Sequence, residues 1–107
     1  MKLTKKGFAR WLSRQSRNRR FRTECGNNCP IASYIVEDLG YGVADVCHER
    51  AQAWKNKDAC YEDMCATCEA KWIGDFVETI DAEYPSPHRP SPKQCLEVLN
   101  RKPVENY

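Results

Sequence analysis

The chain predicts a mainly α, compact single domain of four or five short helices, and three observations lead there. Apolar residues recur at helical spacing in four stretches; helix-start signals stand at Cys29-Pro30 and Ser91-Pro92; and only two places, near residues 19–24 and 41–47, leave room for a short strand or β-hairpin. With 107 residues and a mean hydropathy of −0.76, there is enough chain for one small core and not for two.

The first helix is expected from Leu3 to Gln15. Thr4 can cap it, and Phe8, Trp11 and Leu12 fall on one face while Lys5, Lys6, Arg10 and Arg14 lie elsewhere. Gly7 weakens it slightly. Ser16 to Arg22 has no period beyond its charge and reads as a loop or extended stretch, and Asn27-Asn28 as a turn. A second helix runs from Cys29 to Gly40: Pro30 suits the first helical position, Ile31, Tyr34, Ile35 and Leu39 form the stripe, and Gly40 suits a left-handed stop. From Tyr41 to Cys47 weak alternation allows either a strand or a third helix running on through His48, Ala51 and Trp54. Asn56-Lys57-Asp58 is a break. Trp72, Ile73, Phe76, Val77 and Ile80 then mark an amphipathic helix over about residues 66–83. Four prolines between Tyr84 and Pro92 make residues 84–92 an extended connector. A last helix follows, with Cys95, Leu96 and Leu99 on one side. The expected core is Phe8, Trp11, Leu12, Ile31, Tyr34, Ile35, Leu39, Trp72, Ile73, Phe76, Val77, Ile80, Leu96 and Leu99.

The net charge of +2 hides a polarity. Residues 1–22 carry nine basic side chains and no acid; the rest carries eight basic and fifteen acidic ones, a net −7. A basic arm attracts phosphates or an acidic protein face, or folds back on its own acidic body. Arg10, Arg14, Arg17, Arg19, Arg20 and Arg22, with Phe21 among them, form the candidate partner or nucleic-acid surface, because guanidinium groups neutralise phosphates and an interleaved aromatic can stack on a base. Asp75, Glu78, Asp81 and Glu83 form an acidic face that would imitate phosphate charge toward a cationic groove, or simply keep the helix in solvent.

No apolar run approaches the length of a membrane span, and residues 1–22 lack the apolar centre of a signal peptide, so a cytoplasmic protein without a membrane partner is expected. Seven cysteines, an odd count without an export signal, favour reduced thiols or a metal site over a disulfide framework. Cys65 and Cys68 are spaced to share a tetrahedral zinc and Cys60 extends the cluster; the fourth ligand is open among Cys25, Cys29, Cys47, His48 and Cys95. With Cys95 the triplet resembles the plant-type ferredoxin ligand order, but Tyr61, Glu62, Asp63 and Met64 stand where that loop has small residues. Plain thiols are the alternative, and Cys95 beside Leu96 and Leu99 fits a core position best. The expectation is no cofactor, with zinc as the exception.

Catalysis finds little support. His48 follows Cys47 directly, a spacing that turns the two side chains apart on a helix or a strand, and His88 lies in the proline connector. Phosphate-binding glycine loops, G-x-S-x-G and H-E-x-x-H are all missing from the sequence.

Phe8-x2-Trp11-Leu12-x2-Gln15, Cys29-Pro30-x-Ala32-x-Tyr34-Ile35 and Trp72-x3-Phe76-Val77-x3-Asp81 together resemble a loose group of small uncharacterised proteins from phages, prophages and bacterial genomes. The likeness spans residues 8–81 and rests on about a dozen positions. It implies that these segments form the core, that Ala44 to Cys68 is a variable insertion, and that the role belongs to a mobile element. The expected function is a non-enzymatic protein that binds a protein or nucleoprotein partner stoichiometrically, for example an anti-CRISPR-type inhibitor of host defence. The alternatives are a zinc module on Cys60, Cys65 and Cys68, and a nucleic-acid-binding accessory protein using the basic arm.

Overall fold

The computed structural model describes residues 1–24, 26–47, 49–56 and 66–101. They form helix α1 (Lys5–Ser13), helix α2 (Pro30–Glu37), strands β1 (Val43–Cys47), β2 (Arg50–Trp54) and β3 (Ala66–Glu69), helix α3 (Lys71–Glu83) and helix α4 (Pro92–Leu99).

Local chemistry sets the helix starts. Thr4 Oγ1 accepts the Gly7 N–H at 3.0 Å, Cys29 Sγ accepts the Ala32 N–H at 3.5 Å ahead of Pro30, and Ser91 with Gln94 forms a reciprocal capping box. Gly7, the residue least suited to a helix interior, sits where α1 meets α2: a Cβ there would come within 2.7 Å of Tyr34 Oη. Gly40, at φ +85°, turns the chain so that the Tyr41 N–H returns to the Ile35 carbonyl at 3.3 Å, as the left-handed stop requires.

The middle of the chain corrects the mainly α expectation. β1 pairs antiparallel with β2 (Val43 opposite Trp54, Ala44 opposite Ala53, Val46 opposite Ala51), and β2 pairs with β3 (Ala51 opposite Cys68, Gln52 opposite Thr67), giving a three-stranded antiparallel sheet and a mixed α and β domain. Residues 50–54 are therefore a strand and not a third helix, and Ala66–Glu69, expected to open the amphipathic helix, is an edge strand ahead of α3. Period two holds on β1 and β3, where Ala44 and Val46 are buried and Thr67 and Glu69 exposed, while the central strand β2 is buried on both faces from Ala51 to Trp54. Alanine suits a helix as well as a buried strand face, so the alternation is easily missed. Residues 19–24 hold no strand; there the chain makes one ladder-like bond, from the Phe21 N–H to the Pro90 carbonyl at 3.0 Å.

α1 packs on α4 and α2, α2 packs on β1, and α3 on α4 and β2. An aromatic cluster centres on Phe8, which is fully buried, with ring centroids of Trp11, Tyr34, Trp72 and Phe76 between 5.3 and 6.3 Å away. Leu39, Trp72, Val77 and Leu96 are half-buried at the core's margin, whereas Leu3, Phe21, Ala44, Val46, Ala51, Ala53, Cys95 and Val98 lie inside it. Burial pushes the Cys95 thiol up to about 12, with the nearby Cys29 adding to the effect.

Candidate functional site

The basic arm divides in two. One part is built into the fold. The Phe21 side chain is only 2 % exposed and packs against Trp11 with centroids 5.8 Å apart, so its ring is not open to a base. Arg19 covers that pair, with its guanidinium carbon 5.2 Å from the Trp11 ring and 4.7 Å from the Phe21 ring. The same guanidinium forks onto the Glu37 carboxylate and reaches Gln15 Oε1 at 2.7 Å, and the bond to Glu37 raises its pKa further. Arg19 is a latch between the arm and α2.

The other part stays in solvent. Lys2, Lys5, Lys6, Arg10, Arg14, Arg17, Arg20 and Arg22 are all exposed. Among the described residues only Arg14 of these eight lies within 4 Å of a carboxylate, Asp38 at 3.7 Å. Arg20 is steered by the carbonyls of Arg17 and Arg19, each 2.8 Å from its Nη1, which hold its stem along the loop. The result is a cationic surface from the start of α1 to Arg22, with no aromatic side chain of the arm exposed on it.

The acidic face of α3 is treated differently. Asp75 and Glu78 are exposed, but Asp81 Oδ1 accepts the Glu24 N–H at 2.9 Å and Glu83 pairs with Arg101. Asp81 is thereby part of the fastening for Glu24, whose backbone is left-handed at φ 59°. Beside these acids an apolar-walled hollow of about 380 Å³ lies between Pro30, Val46, Phe76 and Ile80, with Cys47 at its edge.

Of the cluster considered for zinc, Cys60 and Cys65 lie outside the described residues. Cys68 is half-buried on β3, its Sγ 3.7 Å from the Leu3 carbonyl. Among the described residues, no group of three or more His, Cys, Asp and Glu side chains is placed to hold a metal ion. No helix among them is long and apolar enough to cross a membrane.

Sequence reasoning missed the neighbourhood that completes the arm. The connector 84–92 is not a free spacer, because residues 21–24 are pinned to it at three points: Phe21 N–H to Pro90 O, Thr23 Oγ1 to Tyr84 O, and the Ser86 N–H to Glu24 Oε2 at 3.2 Å. Between these pins lies a polar hollow of about 470 Å³ lined by Arg22, Glu24, Ser86, His88 and Arg89. The basic character of Arg89 was readable; its placement beside Arg22 was not.

No family model, curated protein or solved structure matches the chain.

Proposed function

We propose that the protein is a non-enzymatic, stoichiometric binder that engages a nucleoprotein partner in the cytoplasm through the cationic surface of α1 and residues 14–22, gripping a path of nucleic-acid phosphates. One observation carries this reading: eight basic side chains of the arm are solvent-exposed, and only one of them has an acidic partner within 4 Å among the described residues. An arm that existed to neutralise its own body would have spent its charge there, as Arg19 does. Five of the eight are arginines, whose planar fork suits phosphate oxygens. The surface offers no exposed aromatic of the arm for base stacking, so the grip follows the backbone and is insensitive to base sequence.

The α3 acids support the opposite role, phosphate mimicry, less well, since Asp81 and Glu83 are both engaged within the fold. The test is fluorescence anisotropy of a labelled single strand against protein over a salt series. The expected result is an affinity that falls with salt with a log–log slope of magnitude about 3 or more, reporting several released counterions. Binding that ignores salt, or no binding at low salt, overturns the reading.

A further inference from the structure

Two surfaces far apart in sequence, the end of the basic arm and the proline connector, meet at the hollow between Arg22 and Arg89, and each contributes a basic side chain to its lining. Arg22, His88 and Arg89 are all exposed. His88 Nδ1 lies 3.2 Å from the Pro85 carbonyl and its own N–H reaches the same oxygen at 2.8 Å, so the ring is anchored on that side and Nε2 is its outward nitrogen. Glu24, on the same segment as Arg22, reaches across to the connector, where its Oε2 accepts the Ser86 N–H. Two guanidinium groups against one carboxylate leave the hollow net positive.

From this arrangement we infer that the hollow is a binding site for a terminal phosphate, a phosphomonoester at the end of a nucleic-acid strand, held by Arg22 and Arg89 with His88 Nε2 as the third partner. The inference rests on the polyanion reading above and adds to it an end-specific pocket. The chemistry selects the monoester. A phosphodiester inside a strand has two unesterified oxygens; a monoester has three and carries more charge, which suits the two guanidinium groups and the imidazole that line this open hollow. The imidazole serves either ionic form of the ligand. As a neutral ring donating from Nδ1 to Pro85, it accepts from a protonated phosphate oxygen; as imidazolium it donates to a bare one.

The walls are rigid for a loop. The prolines of residues 84–92 have little conformational freedom to lose, and the three pins to residues 21–24 hold the two sides in one spacing. Arg22 also belongs to the exposed cationic surface, so a strand whose end is held here can run directly onto it.

The test uses one labelled single strand in two versions, one ending in a phosphate and one ending only in hydroxyls, at low salt. The full chain is expected to bind the phosphorylated strand at least about fivefold more tightly. Arg89→Ala, an exposed change that leaves the core untouched, should erase that preference while keeping the affinity for the hydroxyl strand. Reversing Lys5, Lys6 and Arg10 to glutamate should weaken both strands together. Equal affinity for the two ends in the parent protein, or a preference that survives Arg89→Ala, overturns the site. If neither strand binds, the polyanion reading has failed by itself, and the hollow is judged by amide NMR with phenyl phosphate as the probe. Saturable shifts at Arg22, His88 and Arg89 that vanish in Arg89→Ala uphold the site, and unmoved resonances sink it.

Discussion

The basic arm and the acidic side of α3 look equivalent in the sequence, each a run of like charge next to an apolar stripe, and the fold uses them in opposite ways. In the arm, one charge of nine is latched onto Glu37 and the rest face water, nearly all without an acidic partner among the described residues. On α3, two of four acids are engaged by other parts of the chain. A run of charge in a sequence therefore says little about availability; what matters is whether opposite charge or an orphan N–H lies within reach once the chain is folded.

The sharpest way to break this comparison lies within the arm itself, between Phe21 and its neighbour Arg20. Phe21→Ala removes a ring that is almost wholly buried against Trp11 and is expected to cost about 3–5 kcal/mol, whereas Arg20→Ala should stay within about 0.5 kcal/mol; denaturant unfolding of both measures the contrast. If Phe21 were a binding residue held at the surface, the two would unfold alike.

Next in size is the functional half of the contrast. The triple change Lys5→Glu, Lys6→Glu and Arg10→Glu should weaken strand binding at least about tenfold at low salt with the melting temperature little altered. Asp75→Lys with Glu78→Lys should leave binding equal or tighter. An acidic face that carries the function would reverse that order.

Arg19→Ala is expected to cost about 1 kcal/mol, combining a partly exposed ion pair with a cation–π contact, and part of that loss should disappear at high salt. Asp81→Asn, which weakens the hold on the Glu24 N–H, should cost about 0.5–1 kcal/mol. The smallest effect at neutral pH concerns Cys95. Its folded pKa, about 12, lies above the ordinary value of 9.0, so the unfolded chain releases the proton first. The contribution to stability is full below pH 9 and is lost as the pH climbs toward 12. Cys95 should also resist thiol reagents at pH 8 until the protein unfolds, and modification at the rate of the exposed Cys47 would contradict its burial.

Much of the helical half was legible. Thr4, Pro30, Gly40, Ser91 and Pro92 announce helix ends through local chemistry, and the stripes of α1, α2 and α3 repeat at the helical period, so neighbours in sequence carry the whole signal. The sheet was not legible for the same physical reason. Its inward face is made of Ala44, Val46, Ala51 and Ala53, small side chains whose strand preference comes only from partners across the ladder. Phe21 was misread because five arginines among its near neighbours suggest a surface, whereas Arg19 shields it by lying over its ring. The Arg22–Arg89 hollow needed a contact between two segments far apart in the sequence, which no local pattern encodes.

α1 shares its largest helix contact with α4. On the ribosome α1 emerges early, and its contact with α4 cannot form until residues 92–99 have left the tunnel. Until then the nascent chain shows an apolar face set in a strongly cationic segment, beside ribosomal RNA that attracts such charge. Closing the core therefore depends on docking α4 onto α1, the two helices farthest apart in sequence among the described residues.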